Sequence, residues 1–219
     1  MESSGGSLDP LQIRVLEILG GFRPPFILGD GGALALYLGH RTTRDLDLFW
    51  DDVSRLDERP TAIRQRLEEG GLLVSAVQES PGFVRFLVTG DRSTINLDLV
   101  ADPTERLEAP ERFTIGDSAI ATESLRDMLV NKLCAMLSRS ELRDLVDAEA
   151  LVNHGVSLDD AIESAPRKDG GFSPLTFAWV LQNFDLATLA KATGVQEPEL
   201  KRLDQFRLVL IERLLATGE

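Results

Sequence analysis

Residues 28–50 read LGDGGALALYLGHRTTRDLDLFW, and the fold turns on how this stretch is understood. Adjacent glycines, Gly31 and Gly32, follow the apolar run PPFILG, which has the length and content of a short buried strand. GALALYLG reads as a compact apolar helix, and RDLDLFW alternates as a strand does. On that strand Asp45 and Asp47 project from one face while Leu46 and Leu48 enter the core on the other. Carboxylates held side by side repel one another unless a cation lies between them. Mg²⁺ suits the place because it takes one or two carboxylates and completes its shell with phosphate oxygens. The pair alone says little: with 36 acidic residues in 219, random placement gives roughly six acidic-x-acidic triplets. The order of parts says more, since a strand, a glycine turn, a short helix and a carboxylate strand together provide for a nucleoside triphosphate and its metal. Gly31 and Gly32 keep two readings, a phosphate cradle of backbone N–H groups at a helix N-terminus or a tight turn that needs glycine for its own sake.

Outward from this stretch the pattern stays mixed. Asp9-Pro10 has the form of a helix N-cap with proline at the first helical position, and Leu11, Val15, Ile18 and Leu19 follow at helical spacing. A second amphipathic helix runs from Pro60 to Glu69 and stops at Gly70-Gly71. LLVSAVQE, FVRFLVTG and STINLDLV are three strand-like runs joined by Pro-Gly and Gly-Asp turns. The last of them sends Ile95, Leu97 and Leu99 one way and Asn96 and Asp98 the other. If it pairs near the first carboxylate strand, Asp98 joins Asp45 and Asp47 as a third metal ligand or as a general base. The competing reading is the polar face of an edge strand. Beyond about residue 118 the segments are helical. The expectation is an α+β chain: a core at 1–118 with a small mixed sheet flanked by helices, then an all-helical C-terminal region at 119–219 that contributes to the active site.

Charge and composition narrow the partners. The formal net charge is −13, so no whole-surface field attracts nucleic acid or an anionic membrane, and any nucleic-acid substrate needs a local basic patch or bound metal. Only four lysines occur, at 132, 168, 191 and 201; the remaining basic residues are arginines, whose forked guanidinium suits phosphate. The lone cysteine, Cys134, excludes an internal disulfide framework and reads as a small apolar core residue. The N-terminal residues lack a signal-peptide pattern and no apolar run reaches the ~20 residues of a membrane span, so a cytoplasmic protein is expected.

Two motifs in this order resemble the AbiEii-type nucleotidyltransferases, which include the MenT toxins and belong to the DNA polymerase β-like superfamily. The first is Gly31-Gly32-Ala33, Gly39-His40-Arg41 and Asp45-Leu46-Asp47; the second is NKLCAMLSRSELRDLVDAEAL, carrying Lys132, Arg143, Asp144 and Asp147. Ala33 departs from the family pattern, which has a hydroxyl residue there. The resemblance spans residues 25–153. It implies a nucleotidyltransferase-type sheet and a toxin that moves NMP from an NTP to the 3′ end of tRNA, blocking translation, with a cognate antitoxin as partner. The same chemistry on a protein or small-molecule acceptor, or a catalytically degenerate binding module, are the alternatives.

Carried onto this sequence, the resemblance implies that Asp45 and Asp47 hold Mg²⁺, with Asp98, read from its strand, as third metal ligand or general base, and that Gly31 and Gly32 cradle the triphosphate. It gives Lys132 and Arg143 to the phosphates, and Asp147 to orienting Lys132 or the acceptor. Each has a plainer reading. Lys132 borders an apolar helix face and can reach past it to solvent, and Arg143 with Asp147 is an i, i+4 ion pair. Arg41 and Arg139 are the residues expected to face RNA. His40 and His154 read as helix C-terminal caps, and Arg44 as a local ion-pair partner.

Overall fold

The computed structural model describes residues 8–51, 53–90 and 92–217. In chain order the elements are α1 (Pro10–Leu19), β1 (Ile27–Gly29), α2 (Asp30–Tyr37), β2 (Asp45–Asp51), α3 (Arg59–Glu69), β3 (Leu73–Glu79), β4 (Phe83–Thr89), β5 (Thr94–Asp102), β6 (Glu111–Ile115) and β7 (Ser118–Thr122). Six helices follow: α4 (Leu125–Ser138), α5 (Leu142–Asn153), α6 (Leu158–Lys168), α7 (Pro174–Gln182), α8 (Leu186–Thr193) and α9 (Glu197–Thr217). The chain divides into two compact units, Met1–Ser124 and Leu125–Glu219.

The first unit is built on a seven-stranded sheet in the order β3-β4-β5-β2-β1-β7-β6. β2 is its middle strand. It runs parallel to β5 and antiparallel to β1, and β1 runs parallel to β7. The alternation of RDLDLFW is realised: Leu46, Leu48 and Trp50 are buried, while Asp45, Asp47, Phe49 and Asp51 are partly exposed on the other face. Ser118–Thr122, at the start of the expected helical region, is a strand paired with β6 in a hairpin.

Helices pack on this sheet through specific ends. Asp9 is the expected N-cap of α1, and with Gln12 it forms a capping box, each side chain bonding the other's backbone N–H. α1 and α3 then cap each other's C-termini. Arg66 of α3 donates to the carbonyls of Ile18 and Gly20 at 2.6 and 2.7 Å, and Arg14 of α1 donates to the Gly70 carbonyl at 2.8 Å. These carbonyls lack intrahelical partners, so each guanidinium satisfies groups the helix leaves open.

The second unit is all helical. α4 packs against α5 and α6, and α7 against α9. A buried ion pair, Lys168 Nζ to Asp127 Oδ1 at 2.7 Å, fastens the end of α6 to the start of α4. His154 occupies the C-cap of α5, as its position before Gly155 leads one to expect. Among the described residues no helix is long and apolar enough to cross a membrane.

Candidate active site

The carboxylates stand on the middle strand between two neighbours in fixed register. On one side β5 sets Asn96 opposite Asp45 and Asp98 opposite Asp47; on the other, β1 sets Gly29 opposite Asp47. Asn96 Nδ2 donates to Asp45 Oδ1 at 2.9 Å, which fixes that carboxylate's rotamer. Gly29 is also the N-cap of α2, so the helix N-terminus begins beside the carboxylate strand.

Gly31 and Gly32 differ in what they make room for. A Cβ at Gly32 would lie 3.0 Å from Leu28 Cδ1 and 3.1 Å from Leu46 Cδ2, so this glycine lets α2 sit tightly on β1 and β2. A Cβ at Gly31 would lie 2.8 Å from Thr43 Oγ1 and 3.6 Å from the Arg41 guanidinium. Close packing therefore requires glycine at both positions, Gly32 against Leu28 and Leu46 and Gly31 against Thr43, with the Arg41 guanidinium next nearest to Gly31. Asp30, just before them, holds a positive φ of 46°, a conformation that a non-glycine residue rarely adopts.

Asp98 lies next to Asp47, as a third carboxylate should, but both of its oxygens are engaged. Arg85, directly opposite it on β4, donates Nε to Oδ1 at 2.7 Å and Nη2 to Oδ2 at 2.5 Å. Asp98 is buried, and the bond to it drives the Arg85 pKa above its ordinary value, with Asp45 and Asp47 adding to the effect. Among the described residues no group of three or more His, Cys, Asp or Glu side chains is placed to hold a metal ion. Asp45 and Asp47, two hard oxygen donors on one face, fit a single Mg²⁺ that draws its remaining ligands from phosphate and water. Strand alternation puts Asn96 on the face of Asp98 without giving it a role, and only the hairpin register between β4 and β5 points to Arg85.

The second unit has its own charged cluster. Lys132 does not reach to solvent: its side chain is 4% exposed, and Nζ lies 2.9 Å from Asp147 Oδ2 and 3.3 Å from Asp144 Oδ1. Asp144 and Asp147 are one turn apart on α5, so both face the lysine from α4. Arg139 closes over Asp144 with Nε at 2.9 Å and Nη2 at 3.0 Å, its own side chain 40% exposed. Arg143 pairs with Glu141, at 2.5 Å from Nε to the carboxylate, and is half exposed. Cys134 is no nucleophile. Burial pushes its thiol up to about 12, and Sγ rests 3.8 Å from the Ala165 carbonyl.

A mixed sheet whose middle strand carries paired carboxylates beside a helix N-terminus is the arrangement of a nucleotidyltransferase, and solved structures share the fold. One is JHP933 from Helicobacter pylori, with 16% identity, a TM-score of 0.56, and 97% of this chain and 95% of that chain covered. A second is a nucleotidyltransferase-like antigen from Paracoccidioides brasiliensis, with 16% identity, a TM-score of 0.54, and coverage of 84% and 94%. A third is MenT4, a nucleotidyltransferase toxin from Mycobacterium tuberculosis H37Rv, with 13% identity, a TM-score of 0.52, and 91% of each chain covered. Comparison with curated protein sequences finds no match. The family model described as nucleotidyl transferase AbiEii toxin, type IV toxin–antitoxin system, matches residues 14–216. The chain belongs to the AbiEii family and is a nucleotidyltransferase toxin, and this membership implies an NTP substrate and an antitoxin partner.

Proposed function

We propose that the protein is a Mg²⁺-dependent enzyme that acts in the cytoplasm, moving NMP from an NTP to the 3′ end of tRNA and so blocking translation. The observation that carries this reading is the register around Asp47, with the start of α2 on one side and the Asn96-held Asp45 close by. Asp45 and Asp47 would hold the ion, which when bound supplies neutralising charge for the triphosphate and polarises the reacting phosphate. The N–H groups at the start of α2, Gly31 and Gly32 among them, donate to phosphate oxygens, and Arg41 beside Gly31 adds positive charge. The acceptor hydroxyl attacks the α-phosphate in line and pyrophosphate leaves, so the chain acts by positioning and by electrostatics.

In the second unit the burial of Lys132 supports a positioning role. It pairs with both Asp144 and Asp147 in the core, and Asp144 in turn holds Arg139 at the surface. Arg143, half exposed at the start of α5, is the cation of this helix that phosphate can reach.

The test is label transfer from each α-³²P-labelled NTP to total tRNA with Mg²⁺. Wild-type protein should label tRNA with one nucleotide in preference to the others. The Asp45→Ala, Asp47→Ala double variant should lose ~100-fold or more of the signal, as expected when a preorganised charge-stabilising group is removed. Label on protein or on a small molecule would move the acceptor. Bound NTP with no label anywhere would make the protein a binding module.

A further inference from the structure

The polymerase-like two-metal scheme needs carboxylates that clamp both ions. Here the third carboxylate is already clamped by the chain itself. Arg85 and Asp98 are directly opposed across the antiparallel β4–β5 pair, so backbone register sets their meeting. The contact is a two-pronged fork, 2.7 and 2.5 Å, onto a carboxylate that is 6% exposed. Such a pair is planar, charge-assisted and shielded from water on the Asp98 side. Phe83, two residues earlier on the same strand face, has its ring centroid 5.7 Å from the guanidinium carbon and backs the fork. The Arg85 side chain is 38% exposed, so its outer edge is open. Asp45 and Asp47 act on it electrostatically as well as Asp98.

Building on the nucleotidyltransferase reading above, we propose that Arg85 is a built-in cation that replaces one of the two divalent ions. The site takes one ion, at Asp45 and Asp47, while Asp98 serves to anchor Arg85. The open edge of the guanidinium then supplies positive charge to the reacting phosphate, where a second ion would otherwise sit.

The test counts ions rather than turnover. Mn²⁺ is titrated into the full chain with a non-hydrolysable NTP analogue, and bound Mn²⁺ is followed by electron paramagnetic resonance. Wild type should hold one Mn²⁺ per chain with the spectrum of an isolated ion. Arg85→Gln releases Asp98 and should hold two, with the broadening of a coupled pair. Arg85→Lys should stay at one. Because Arg85→Gln leaves a buried carboxylate unpaired and can fail to fold, Asp98→Asn is the second arm; it should leave the wild-type count of one unchanged. Two ions in wild type, or an ion lost in Asp98→Asn, or a folded Arg85→Gln that still holds one, would overturn the proposal and leave the Mg²⁺-dependent reading standing. Nucleotide bound with no Mn²⁺ in any form would overturn both.

Discussion

A buried lysine between two carboxylates is strongly held only while all three charges are present. Lys132 Nζ lies 2.9 Å from Asp147 Oδ2 and shares Asp144 with Arg139. Lys132→Met keeps the length of the side chain and deletes the charge, leaving two buried carboxylates without the lysine that bridges them. The expected cost is about 3–5 kcal/mol, the range for breaking a buried pair from one side, read as a fall in the denaturant midpoint. Adding Asp147→Asn to that variant should return much of the loss, since the orphaned charge goes with it. If Lys132→Met unfolds at the wild-type midpoint, the cluster is not structural. Sequence spacing cannot give this result, because a lysine that borders an apolar helix face looks alike whether it leaves the face for solvent or turns inward to acids on another helix. Arg143 shows the same limit: spacing on the helix suggests an i, i+4 partner, but not the contact with Glu141 two residues back, outside the helix.

At the scale of elements, the single tyrosine reports on how α2 is tied to the sheet. Tyr37 closes α2; its hydroxyl lies 3.0 Å from Thr122 Oγ1 on β7, and its ring meets Phe113 of β6 edge-on with centroids 4.6 Å apart. Burial pushes the phenol up to about 12, with Glu111 reinforcing the effect and the Thr122 hydroxyl opposing it. The chain has no other tyrosine, so the absorbance of tyrosinate on alkaline titration belongs to this residue alone. The midpoint should lie near 12 in the folded protein and near 10 in denaturant. Because the folded value is raised, the neutral phenol favours the native state; the contribution is complete below the unfolded value and is lost as pH rises from there to the folded one. A native midpoint near 10 would show that the tie is open in solution. The tie joins α2 to a hairpin that the sequence hardly announces. Ser118–Thr122 is SAIAT, five residues of which only Ile120 and Thr122 favour a strand, and the Gly116-Asp117 turn is its clearest sign. By contrast RDLDLFW and STINLDLV alternate so plainly that their faces could be assigned directly, though not that they would pair in parallel with Asp47 beside Asp98.

For the whole molecule, a net charge of −13 sets a physical constraint on any tRNA substrate. Affinity for a polyanion comes mostly from counterions released when cations meet phosphates, and the salt slope counts those contacts. A protein this acidic meets tRNA against its own mean field, so few phosphates are engaged, and they must lie where arginines gather. Arg41 is the arginine that stands beside the N-terminus of α2, near the carboxylate strand, with one guanidinium nitrogen bonded to the Thr42 carbonyl at 3.1 Å. The prediction is a shallow dependence of log K on log salt for tRNA binding, with Arg41→Ala lowering the slope by ~1, the value of one lost phosphate contact. Fluorescence anisotropy of end-labelled tRNA across a salt series, in a Mg²⁺ concentration held constant, measures it. The Mg²⁺ must be fixed because it competes for the same phosphates and, in the proposed mechanism, would also occupy the site. An unchanged slope in Arg41→Ala would remove Arg41 from the RNA path. A steep slope in the wild type would mean that the positive surface lies elsewhere and is larger than the described arginines around α2 provide.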